Sequence, residues 1–152
     1  YLARRIVRMA IEDIGLADPQ ALTMALSSKD AYHFLGSPEG ELAMAEAIIY
    51  LAAAPKSNRV YEAWSRAQNA AKEYPAEPVP LHIRNAPTTL MKALGYKKGY
   101  RYDHDEGGNA AGQEYLPEVL RAEKWYEPTD QGYEKNIAER LKWWVEQKKQ
   151  SR

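Results

Sequence analysis

The residues best suited to acid–base or metal chemistry in this 152-residue chain are three histidines, His33, His82 and His104. A metal site needs convergent nitrogen and oxygen ligands, often two on one helical face at i, i+4, and none of the three has such a partner in sequence. Asp103-His104-Asp105-Glu106 is the one dense ligand cluster, and His-Asp dyads do occur in helical metal-dependent phosphohydrolases. Those dyads sit on helices with further histidines nearby. Here the dyad lies between tyrosines and glycines, where carboxylates that orient a solvated imidazole are the simpler reading. His33 reads as a packed or capping residue near the end of a helix, and His82, between Leu81 and Ile83, as a half-buried structural one. A phosphate-binding loop needs glycine amides followed by Lys-Ser/Thr, and the only Lys followed by Ser or Thr is Lys56-Ser57, with no glycine in frame. Ser27, Ser28, Ser37 and Ser57 read as helix-end or helix-surface residues rather than nucleophiles, and without cysteine no thiolate chemistry is available. The chain is therefore expected to hold no catalytic, cofactor or metal residues of its own.

A second constellation binds rather than reacts. Arg84, Lys97, Lys98 and Arg101 are interleaved with Tyr96, Tyr100 and Tyr102. Cations neutralise phosphates and aromatic faces stack on unpaired bases, so Arg84, Lys97, Lys98, Arg101, Tyr100 and Tyr102 are candidate DNA contacts for a single-strand or junction binder. Asp103, Asp105 and Glu106 follow immediately and weaken any local basic field; the alternative is structural, with the rings packing a crossover onto a helical bundle and the charges solvating it. Trp143 is a candidate interface residue, because it lies off the apolar stripe of the last helix; it serves either as a partner anchor or as a contact within the chain.

Helices must position these residues. Leu2, Ile6, Met9 and Ala10 form one arc of a first helix running to Gly15, with Arg4, Arg5, Arg8 and Glu12 opposite. Asp18-Pro19 opens a second helix ending at Gly36, and Ser37-Pro38-Glu39 opens a third that Pro55 breaks. From Leu42 onward the third carries only Glu46 as a charge, which places it in the middle of a bundle. Val60, Trp64, Ala67 and Ala71 give the stripe of a fourth helix capped by Ser57 and ending near Tyr74. Pro75, Pro78 and Pro80 then impose an extended crossover to Arg84. A short fifth helix starts at Asn85-Ala86-Pro87 and stops at Gly95. Alternation around Tyr100 and Tyr102, with similar strand propensity at Lys124-Trp125-Tyr126, allows one small β-ribbon. The last helix, about Asp130 to Gln147, has Tyr133, Ile137, Leu141, Trp144 and Val145 on one stripe.

Composition bounds the class. With 21 Lys+Arg against 21 Asp+Glu the net charge is zero, which excludes a generally basic nucleic-acid coat or an acidic tail. Residues 1–78 carry net −2 and residues 79–152 net +2. The 45% hydrophobic content suits a folded chain, and the length suits one domain, with a four-helix portion at 1–74 and the crossover, Tyr/Gly-rich loop and terminal helix at 75–152. The absence of cysteine fits a reducing cytoplasm, and neither a membrane span nor a targeting peptide is visible. Beginning inside a helical pattern and without Met, the chain reads as a piece of a longer protein.

Successive blocks resemble one family. Glu12-Asp13-Ile14-Gly15-Leu16-Ala17-Asp18-Pro19, Gly36 to Ala43, Tyr50-Leu51-Ala52 and Ala54 to Asn58 are similar, in order, to the MgsA/RarA family of AAA+ ATPases. So are Val79 to Thr88, Leu94-Gly95-Tyr96, Gly99 to Tyr102, His104-Asp105 and Tyr115-Leu116-Pro117. That family includes bacterial replication-associated recombination protein A and the animal Werner helicase-interacting protein. The resemblance implies the all-α C-terminal domain behind an ATPase module, similar to the oligomerisation collar of clamp-loader subunits and assembling a homo-tetramer. It further implies that ATP and Mg belong to the full-length protein, that DNA and single-stranded-DNA-binding protein are its partners at stalled forks, and that it is cytoplasmic and nucleoid-associated. Gly107-Gly108-Asn109-Ala110-Ala111 departs from the family pattern, where bulkier residues are expected, so no contact is carried over there.

Overall fold

The computed structural model describes residues 1–102 and 113–150. Regular structure among them is entirely helical: α1 Leu2–Met9, α2 Gln20–Leu35, α3 Glu39–Ala53, α4 Arg59–Glu73, α5 Thr89–Ala93 and α6 Glu134–Gln150. Two compact units divide the chain, one of residues 1–68 with 125–139, the other of residues 69–124 with 140–152.

In the first unit, Ile6 of α1 and Ala10 and Ile14 of the wider π-type turn that continues it meet Ala21 and Ala25 of α2 and Met44, Ala47 and Leu51 of α3. Alanines at the contact let the helix axes approach closely, and the larger Ile and Leu side chains fill the remaining space. Asp18 is the device that starts α2. Its Oδ1 accepts the N–H of Gln20 at 3.0 Å, and its Oδ2 accepts the Tyr50 hydroxyl at 2.7 Å, so one side chain caps α2 and pins α3 to it. Favouring the neutral phenol, this bond raises the Tyr50 hydroxyl above its ordinary pKa.

The expected central position of α3 is corrected. Gly40, Met44, Ala47 and Leu51 are its buried stripe, but Leu42 is 76% exposed and Ile49 71% exposed. The helices that pack on α3 are α1 and α2, and between them they cover one face. Trp64 of α4 is likewise exposed, and the partly covered side of that helix runs instead through Val60, Ala63, Ala67 and Ala70.

In the second unit the proline-rich crossover runs without helix from Tyr74 to Pro80 and ends in a 3-10 turn at Leu81–Ile83. Helix α5 begins later than its sequence suggests, because Thr88, not Asn85, is the cap: its hydroxyl accepts the Met91 N–H at 3.2 Å. The allowed β-ribbon is overturned, since no strand forms among the described residues. Pairing at Arg101 is taken by a side chain: the Gln113 amide accepts the Arg101 N–H at 3.0 Å and donates to its carbonyl at 2.7 Å. Among the described residues no helix is long and apolar enough to cross a membrane.

Candidate functional site

The cationic and aromatic residues of the second unit converge because α5 stops sharply. Gly95, at φ +84°, turns the chain back so that its N–H donates to the Lys92 carbonyl at 3.0 Å while the Tyr96 N–H donates to that of Met91 at 3.1 Å. Lys97 follows in a left-handed conformation, φ +62°, with its N–H on the Leu81 carbonyl at 2.9 Å. Such a backbone is strained for a residue with a Cβ, by roughly 1–2 kcal/mol.

An open depression of about 830 Å³ results, lined by Lys92, Lys97, Lys98, Tyr96, Tyr100 and Asn85, with Ala86 and Pro87. Among the described residues no carboxylate lines it. The Lys97 ammonium lies 6.0 Å from the centre of the Tyr100 ring. Arg84 has a different place: its guanidinium sits 5.2 Å from the Tyr96 ring centre and donates to the Tyr96 hydroxyl at 3.3 Å and to the Val79 carbonyl. That makes it a brace for Tyr96. Arg101 and Tyr102 are exposed, and Arg101 is anchored through its main chain by Gln113.

A polar centre in the first unit was missed by sequence reasoning. Glu134, fully buried, accepts from Ser57 Oγ at 2.9 Å, the Tyr126 hydroxyl at 2.7 Å, the Thr129 N–H at 2.8 Å and Thr129 Oγ1 at 2.6 Å. Burial alone would raise its pKa. The hydrogen bonds, led by those from Thr129 and Tyr126, outweigh burial and hold the carboxyl below its ordinary value. The converse effect on Tyr126, burial first and Glu134 second, pushes its hydroxyl well above the tyrosine range. Ser57 also receives the Arg59 N–H at 3.3 Å, so the predicted cap of α4 is present and additionally tied to α6.

Lys56 donates to the Leu51 carbonyl and Ser57 is committed to Glu134, so the only Lys-Ser pair cannot cradle a nucleotide phosphate. His33 is exposed rather than packed, and His82 is half-buried with Nε2 unpartnered among the described residues. His104, Asp103, Asp105 and Glu106 lie outside the described residues, as does the Gly107–Ala111 departure; among those described no three His, Asp or Glu converge on a metal position. Trp143 and its neighbour Trp144 are exposed to nearly the same degree, 46% and 48%.

Against known proteins, the family described as MgsA AAA+ ATPase C terminal matches residues 1–145. Replication-associated recombination protein A of Coxiella burnetii (strain RSA 493 / Nine Mile phase I) is 52% identical over 145 residues, covering 95% of this chain and 33% of the relative. Its namesake in Escherichia coli (strain K12) is 48% identical over 152 residues, covering 99% and 34%. That of Haemophilus influenzae is 50% identical over 150 residues, covering 98% and 34%. The chain thus spans about a third of the length of the curated relatives it matches. With the family pattern running through both units and about half of all positions shared with proteins of that name, the chain belongs to the MgsA AAA+ ATPase family as its C-terminal region.

Proposed function

We propose that the chain acts as a single assembly domain, joining copies of a replication-associated recombination ATPase into a homo-tetramer through an apolar face of the first unit. The observation that carries this reading is α3. A helix apolar on nearly all sides has one stripe buried and presents Leu42 and Ile49 to solvent, with Phe34 of α2 also 86% exposed. A second copy is the fitting occupant, because a chain of zero net charge has no overall repulsion between its copies to overcome. The clamp-loader collar is the architecture this role resembles. In the intact protein ATP and Mg would act in a module outside this chain. DNA and single-stranded-DNA-binding protein would be partners of the whole assembly, in the bacterial cytoplasm at the nucleoid.

Light scattering on the Leu42→Glu/Ile49→Glu variant tests the reading. Both side chains are exposed, so helicity should survive while the mass falls to that of a monomer. An unchanged mass would remove α3 from the interface. Trp143 belongs to the second unit and tests whether the interface extends beyond α3: Trp143→Ala should weaken association about 10- to 30-fold if the indole is an anchor. Unaltered association would assign it to packing within the chain.

A further inference from the structure

We propose that the depression of the second unit is a binding site for single-stranded nucleic acid, with backbone phosphate held by Lys92, Lys97 and Lys98 and an unpaired base stacked on Tyr100. The inference goes beyond assembly and does not depend on it, since none of these residues lies on α3. Charge is the first observation. In a chain that is neutral overall, three lysines line one concavity, and among the described residues no acidic side chain joins them in its lining and no carboxylate pairs with any of them.

Backbone geometry is the second. Gly occupies φ +84° and φ +78° at positions 95 and 99, yet the left-handed position between them carries Lys97. A residue that glycine could replace without steric cost is a lysine whose ammonium approaches the depression's aromatic wall. The rings provide the third observation. Tyr96 is half-buried and braced by Arg84 on its face and hydroxyl, whereas Tyr100 is 40% exposed. One tyrosine is thus framework and the other a platform. A duplex offers its phosphates but hides its base faces, so lysines alone would suit either form while an available ring beside them favours the unpaired one. At about 830 Å³ the hollow accommodates a nucleotide unit, and its open side lets a strand continue.

The test is fluorescence anisotropy with the 152-residue chain and a labelled oligothymidylate of about twenty nucleotides, longer than the roughly 4–16 that one module covers, against a duplex of equal length. The single strand should bind more tightly at low salt. Lys92→Ala and Lys98→Ala should each flatten the log–log salt dependence by about 0.7, and Lys142→Ala, the same charge change on α6, should not. Tyr100→Ala should weaken binding about 5- to 100-fold at fixed salt, with Tyr100→Phe close to wild type. Circular dichroism checks each fold, and the exposed Lys98 keeps the test valid should Tyr100→Ala unfold. Absence of single-strand binding at low salt overturns the proposal. So does equal loss in Lys142→Ala and Lys98→Ala, or a duplex preference that Tyr100→Ala leaves unchanged.

Discussion

Glu134 shows how much one residue can organise. Its carboxylate joins the loop before α4, the segment carrying Tyr126 and Thr129, and the first turn of α6, where the helix dipole adds to its stabilisation. Glu134→Gln keeps the shape but turns an amide donor toward groups that are themselves donors. Denaturant unfolding should report a loss of about 2–4 kcal/mol at neutral pH. Because the folded pKa lies below the unfolded one, the advantage of Glu over Gln is full above about pH 5 and fades as pH falls through the folded value. A difference independent of pH would contradict the hydrogen-bond account. At the alkaline end the sign reverses: Tyr126 has a raised folded pKa, so its contribution is present below about pH 10 and is lost as pH rises further. Sequence reasoning did not reach this centre, because Ser57 and Glu134 are 77 positions apart and neither has a local partner pattern. Of the cationic and aromatic candidates, Lys97, Lys98 and Tyr100 are close in sequence and line the depression, whereas Lys92, which lines it too, was not among them. What their spacing could not reveal is the division of labour between Arg84 as brace and the lysines as lining.

At the scale of elements, the helices were legible where local chemistry starts or stops them. Asp18 and Ser57 cap as expected, and Gly95 ends α5 in the motif its position predicts. Errors arose where tertiary context decides. The stripe through Trp64 and the central place of α3 both assumed that apolar residues find cover inside the chain, and the β-ribbon assumed that alternation finds a strand partner. The entry to α6 depends on a contact no local pattern encodes. Gly132, at φ +48°, lies so close to the Ala17 carbonyl and the Pro55 ring that a Cβ would overlap both, and the adjacent Tyr133 N–H donates to that carbonyl at 2.8 Å. Gly132→Ala should therefore destabilise by more than the roughly 1–2 kcal/mol that a left-handed conformation costs by itself. Gly95→Ala, where nothing lies within 4 Å of the added atom, should cost only that conformational part. Equal losses in thermal or denaturant unfolding would show that the close approach at Ala17 carries no energy.

For the whole molecule, neutrality and exposed apolar surface belong together. A zero net charge leaves no long-range term against self-association, and the incompletely covered α3 supplies a surface that gains from it. Assembly would also change what a weak nucleic-acid site can do. Copies held together would carry several depressions, and effective concentration would multiply their individual affinities for one strand. The family and the all-α class were readable from blocks of sequence; the uncovered face was not, because burial is a property of the folded chain. Sedimentation equilibrium of the wild-type chain, from below micromolar to well above it, tests the central claim most directly. A concentration-dependent rise to four times the 17.3 kDa chain mass is the predicted result, and a monomer throughout would contradict it.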